Sequence, residues 1–137
     1  MRFENWPEML QEQIKHAKLK SFEWGKFDCC LFAADTVYAM TGVDPVAEFR
    51  GRYSTRIGAA KLIKAAGGFE AMITAVLGPP KSILKVSRGD VVLGEVSSLE
   101  HLGPVLGVCE GGVSWFVGEE GLIAIPTKCC TKSWGIT

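Results

Sequence analysis

Apolar residues recur at helical spacing through the first half of the chain and at strand spacing through the second. Asn5 and Glu8 have the spacing of an N-cap and a third helical residue, and Pro7 suits a first turn. Trp6, Leu10, Ile14 and Ala17 then share one face, which predicts a first helix to about Lys18. Asp28 is a good N-cap for a second helix through Leu31, Ala34, Val37 and Tyr38 to Gly42. Its few polar positions predict a central, buried helix. Ser54 is the candidate cap of a third helix ending at Gly67-Gly68, and Phe69 to Leu77 form a fourth, stopped by Gly78-Pro79-Pro80.

Beyond that point the period changes. Asp90–Leu93, Val105–Cys109, Val113–Val117 and Leu122–Ile125 are short β-rich runs separated by Gly-rich turns such as Glu110-Gly111-Gly112 and Gly118-Glu119-Glu120-Gly121. Pro126 to Trp134 reads as a short capped turn of helix that docks Trp134, with Cys129 and Cys130 as packing residues. Helices followed by strands predict an α+β fold with N-terminal helices packed on a C-terminal antiparallel β-meander. With no repeat, low-complexity tract or linker, residues 1–137 form a single domain.

Composition narrows the function. The 15 Lys+Arg balance 15 Asp+Glu, so the surplus of positive charge that a nucleic-acid binder needs is absent. Forty-seven per cent of residues are hydrophobic and 22% charged, which is oily for a small monomer and predicts a partner surface. No apolar run approaches the roughly 18 residues of a membrane span, so no transmembrane segment is expected. The start lacks the apolar stretch of a secretory signal, so synthesis and folding are expected in a cytoplasm. Five cysteines, four of them in the adjacent pairs Cys29-Cys30 and Cys129-Cys130, do not make a disulfide scaffold, and free thiols are expected.

The chemistry concentrates at Trp24-Gly25-Lys26-Phe27-Asp28-Cys29-Cys30. If Asp28 caps the second helix, Cys29 lies in its first turn, where unpaired N–H groups and the helix dipole stabilise a thiolate. The same N–H groups can face a developing oxyanion. The structural alternative is that Cys29 and Cys30 are small buried apolar residues.

The Trp-Gly-x-x-Asp-Cys opening, followed about 60 residues later by Arg88-Gly89-Asp90-Val91-Val92-Leu93 and a Gly-Val strand, resembles the NlpC-type cysteine peptidases, papain-like cell-wall amidases. The run from Trp24 to Arg52, with Met40-Thr41-Gly42-Val43-Asp44-Pro45, Arg50-Gly51-Arg52-Tyr53 and Phe116-Val117-Gly118-Glu119-Glu120-Gly121-Leu122, is similar to a family of small proteins from tailed-phage and prophage tail modules, distant relatives of those peptidases. The resemblance implies a papain-like NlpC-type fold, a nucleophile at Cys29 behind the helix cap Asp28, and a base at the head of the strand Val105-Leu106-Gly107-Val108. That base position holds Val105, while His101 lies four residues earlier, before Gly103-Pro104. A thiolate without a positioned imidazole loses general base and acid steps worth roughly 10²–10⁴-fold. His101 is therefore the candidate base, or else an exposed loop residue between Glu100 and Leu102; His16, on a Lys-rich helix face, is surface.

For an orienting third member, Ser114 and Glu119 follow at suitable intervals, though polar residues at hairpin ends are common. Arg50 and Arg52 either clamp a phosphate or carboxylate or pair with Asp28, Asp35 or Asp44, the second being favoured. No metal or other cofactor is expected, because adjacent cysteines diverge by about 100° on a helix and no glycine pair has the context of a phosphate loop. The favoured reading is a tail-tip or baseplate assembly component with a degenerate or weak thiol hydrolase site. It is expected in the virion tail among other tail proteins. The alternative is an active peptidase or amidase that cleaves host peptidoglycan during phage entry.

Overall fold

The computed structural model describes residues 1–95 and 104–137. Among the described residues, four α-helices, α1 (Trp6–Ala17), α2 (Cys29–Thr41), α3 (Arg56–Ala65) and α4 (Phe69–Leu77), precede six strands. The strands are β1 (Lys81–Ser82), β2 (Val91–Gly94), β3 (Val105–Cys109), β4 (Val113–Gly118), β5 (Gly121–Pro126) and β6 (Lys132–Trp134). They form one antiparallel sheet in the order β1-β6-β2-β3-β4-β5. The architecture is therefore α+β, and β2 to β5 are the expected meander.

The central helix is α2. Leu31, Phe32, Ala33, Ala34, Thr36, Val37 and Met40 are all buried, while the flank with Asp35 and Tyr38 reaches the surface. It packs against α1 and against β3. The main core joins Leu10 and Ile14 of α1, Phe32 of α2, Ile73 of α4, Val91 and Leu93 of β2, Leu106 and Val108 of β3, and Trp134. Because strand side chains alternate between faces, Val92, Val105 and Cys109 point the other way, into a second cluster with Phe116 and Cys130. Both faces of β2 and β3 are thus buried, and all nine of their residues are inaccessible. Gly107 belongs here because a Cβ would lie 2.6 Å from Phe116 and from the Trp115 carbonyl.

Three local expectations are corrected. Asn5 precedes α1 but makes no side-chain cap bond, so Pro7 and the backbone define that start. Thr55 rather than Ser54 caps α3, since its extended backbone lets its hydroxyl accept from the Gly58 N–H at 3.0 Å. The closing segment is helical only as the 3-10 turn Thr127–Cys129. Trp134 does dock in the core, but from strand β6, with Val91 opposite Trp134 and Val92 opposite Ser133. That pairing covers the edge of β2, which would otherwise present unpaired backbone groups. Cys130 packs, whereas Cys129 is exposed.

Trp134 is fully buried and its indole N–H donates to the Thr74 hydroxyl at 3.4 Å. Trp134→Ala is expected to cost about 3–5 kcal/mol, measured by urea unfolding. A loss below about 1 kcal/mol would mean that β6 is not anchored by this side chain.

Candidate functional site

The site is built on a tight turn that runs into a helix. Glu23 and Phe27 exchange backbone hydrogen bonds of 2.9 and 2.8 Å, closing the turn that contains Trp24 and Gly25. Gly25 sits at φ +81°, and a Cβ there would be 2.3 Å from the Tyr53 carbonyl oxygen, so only glycine fits. Asp28 follows in extended conformation and begins α2.

Its carboxylate is almost fully buried and accepts three hydrogen bonds: from the Leu31 N–H at 3.0 Å, the Gly25 N–H at 3.0 Å and the Tyr53 hydroxyl at 2.6 Å. The first is the expected helix cap. The other two join the Trp24-Gly25 turn and the segment before α3 to the same oxygen. Burial, and then the hydrogen bond to Asp28, push the Tyr53 hydroxyl above its ordinary pKa, so it stays a donor.

Cys29 opens α2, half-buried, and packs against both apolar clusters. The neighbouring Cys30 side chain holds the Cys29 thiol below its ordinary pKa, against the opposing effect of burial. The Leu106 and Cys30 backbone groups act in the same direction, whereas the charge of Asp28 works against it. Cys30 shifts the opposite way, well above the ordinary value, through its contact with Cys29 and then through burial. Cys29 is therefore the more acidic of the two neighbouring thiols. Asp28 already takes the Leu31 N–H with its side chain and the Phe32 N–H with its carbonyl. The first-turn N–H groups of Cys29 and Cys30 are those left to meet negative charge at the sulfur or at an adjoining oxyanion.

Both cysteines lie in the wall of a cleft of about 650 Å³ formed with α3, α4 and the segment between α2 and α3. Phe49, Tyr53, Leu62, Ile63, Phe69 and Pro104 are among its apolar lining. Lys64 is the one cationic side chain among the described lining residues.

The other sequence candidates separate clearly. Val105, at the position where the resemblance places a base, is buried in the second apolar cluster. His101 lies outside the described residues. Ser114 is buried and its hydroxyl pairs with Thr127 at 2.8 Å; it sits opposite Cys109, at the far end of β3 from Leu106, and is not an orienting residue for Cys29. Glu119 is exposed in the turn between β4 and β5, at the same end of the sheet as Val105. Arg50 pairs with Asp35 and Asp44, as the favoured reading had it, whereas Asp28 takes no arginine and Arg52 is exposed. His16 is exposed beside Glu12.

Asp90 of the Arg88-Gly89-Asp90 motif is structural. Its buried carboxylate accepts from Ser87 N–H at 2.9 Å and Lys81 Nζ at 2.8 Å, which pins the start of β2. Sequence reasoning missed Tyr53, the effect of Cys30 on Cys29 and the cleft itself.

Tyr53→Phe removes one charge-assisted bond from Asp28 and is expected to destabilise the fold by about 1.5–3 kcal/mol. Gly25→Ala, which adds strain and a clash, should cost more than that in thermal unfolding. Equal or smaller loss for Gly25→Ala would show that the turn relaxes without this contact.

The five cysteines are free, and no described helix is long and apolar enough to cross a membrane. No curated protein and no solved structure matches the chain. Residues 1–136 match the family described as Domain of unknown function (DUF6950). That match takes in the capped turn, both cysteines, the cleft and the whole sheet, and the chain belongs to the DUF6950 family.

Proposed function

We propose that this is a papain-like, NlpC-type domain of a tailed-phage tail module in which Cys29 is the nucleophile of an acyl-group reaction. The observation that carries this reading is the position of Cys29: first turn of a capped helix, next to the Cys30 thiol, and in the wall of a large cleft. In the reaction the thiolate attacks a carbonyl carbon and the carbonyl electrons move to oxygen, where the first-turn N–H groups stabilise them. Collapse expels the leaving group, an amine taking its proton from solvent, and leaves an acyl group on Cys29, which water then releases as a carboxylate. The NlpC resemblance makes a peptidoglycan amide the expected substrate.

The thiolate should be visible without substrate. A lowered pKa populates the thiolate at lower pH, so the midpoint of the iodoacetamide alkylation rate at Cys29 should lie below the ordinary thiol value of about 8.5. Cys30→Ala removes the neighbouring thiol and should move that midpoint upward, while Cys130, which burial pushes up to about 11, stays unreactive. Residue-resolved mass spectrometry reads all three; an ordinary midpoint at Cys29, unmoved by Cys30→Ala, would end the nucleophile reading.

A second reading, assembly within the tail tip or baseplate, is favoured by the valine buried at the base position and by apolar side chains left in solvent. Leu84 is 92% exposed, Leu19 85% and Ile57 70%. Such side chains suit a subunit covered by partners. On this reading a phage carrying Cys29→Ala makes normal particles, and deletion of the gene gives defective tails in electron micrographs. Full infectivity after deletion would count against it.

A further inference from the structure

The cleft and the groups around Cys29 favour a different acyl donor from a cell-wall peptide. Muropeptides are polar and carry charge, so a site for them needs polar partners along its length. Among its described lining residues this cleft offers few. They are dominated by side chains such as Phe49, Leu62, Ile63, Phe69 and Met72. Of the two charged residues among them, Asp28 is fully engaged with Gly25, Leu31 and Tyr53, and Lys64, an exposed residue in the last turn of α3, is left to meet an anion. The volume of about 650 Å³ falls within the range of roughly 300–1,000 Å³ typical of sites that enclose a small molecule.

The leaving group gives an independent constraint. An amide nitrogen departs only once protonated, and an imidazole is the usual acid for that step. Val105 fills the expected position of that imidazole with an apolar side chain. A thiol of ordinary pKa, about 8.5, departs as its thiolate without help. Exchange of an acyl group between two sulfurs therefore needs what Cys29 has and does not need what Val105 replaces.

We propose that the cleft binds the chain of an acyl thioester and presents its carbonyl to Cys29, so that the substrate class is a medium- or long-chain acyl thioester with an anionic carrier. The proposal rests on Cys29 being the nucleophile. In the first step the Cys29 thiolate forms a carbon–sulfur bond to the carbonyl, the carbon–sulfur bond to the carrier breaks, and the carrier leaves as a thiolate. In the second, water adds to the acyl-Cys29 carbonyl and the Cys29 sulfur leaves. The carboxylate departs, and water's two protons go to solvent, one of them recovered by the carrier thiolate. Lys64 meets the carrier's negative charge at the cleft mouth.

The test is a series of acyl-coenzyme A thioesters from two to fourteen carbons, reacted with the intact protein. Acylation of Cys29 is followed by mass spectrometry, and carrier release by chromatography. Iodoacetamide alkylation of Cys29, which needs no chain site, runs in parallel. The expected result is an acylation rate at subsaturating thioester that rises with chain length, by up to about fourfold per methylene while the chain is being buried. Leu62→Trp, which fills part of the cleft, should shorten the chain at which the rate peaks. Lys64→Glu should slow the coenzyme A thioesters more than neutral N-acetylcysteamine thioesters of the same chain.

A flat chain-length profile with rapid alkylation overturns the acyl-chain proposal and leaves the nucleophile reading in place. Faster acylation of Cys29 by a muropeptide than by any thioester overturns it as well. Absence of both alkylation and acylation overturns the two together.

Discussion

Asp28 is buried almost completely, and a carboxylate in that position is tolerable only because three donors surround it. Each donor belongs to a different stretch of backbone: the turn at Gly25, the first turn of α2, and the segment ending at Tyr53. Removing any one leaves buried charge less well matched, so the three stretches are fixed relative to one another by a shared electrostatic requirement. The cleft inherits its shape from this arrangement, because Trp24, Asp28, Cys29 and Tyr53 all line it. Asp28 also opposes the charge on Cys29, which makes its contribution one of position. The thiolate is favoured by Cys30 and by the Leu106 backbone in spite of its neighbour.

The packing of α2 explains why the reactive end of the helix is where it is. Most of its length is enclosed by α1 and the sheet, and the flank it leaves open carries Asp35, which is held by Arg50, and Tyr38, so the cysteines act from its N-terminus. There Cys29 touches both apolar clusters, one on each face of the sheet. The sulfur is thus seated at the head of β3 and is reached by the backbone of Leu106. Gly107, next along that strand, lets β3 and the Phe116 ring approach closely.

The span of α1 was legible from the apolar spacing of Trp6, Leu10, Ile14 and Ala17, and those of the other helices from residues whose local chemistry is strong: Asp28 and Gly42 for α2, the glycine pair and Gly78 for α3 and α4. The cap at Thr55 was not, since Ser54 and Thr55 have the same hydrogen-bonding group and only the backbone angle chooses between them. Strand β6 was hidden for a different reason. Three residues carry no period of their own, and the strand exists because β2 offers it a partner. Cys29 and Asp28 could be picked out from one short motif. The cleft could not, because Phe49, Leu62 and Phe69 come from separate elements and share no pattern. Nor could the more acidic of the two neighbouring thiols be told, since adjacency in sequence does not reveal which way two sulfurs face.

The order β1-β6-β2-β3-β4-β5 puts the last strand to be made between the first two. While the chain is being synthesised, the helices and the meander can assemble first, but the flank of β2 stays open until Trp134 emerges. Through that interval a fully apolar strand, Val91-Val92-Leu93, has one row of unpaired backbone groups available to any neighbouring chain. Aggregation risk during biosynthesis is therefore concentrated in a single short window, and any change that delays docking of residues 132–134 lengthens it.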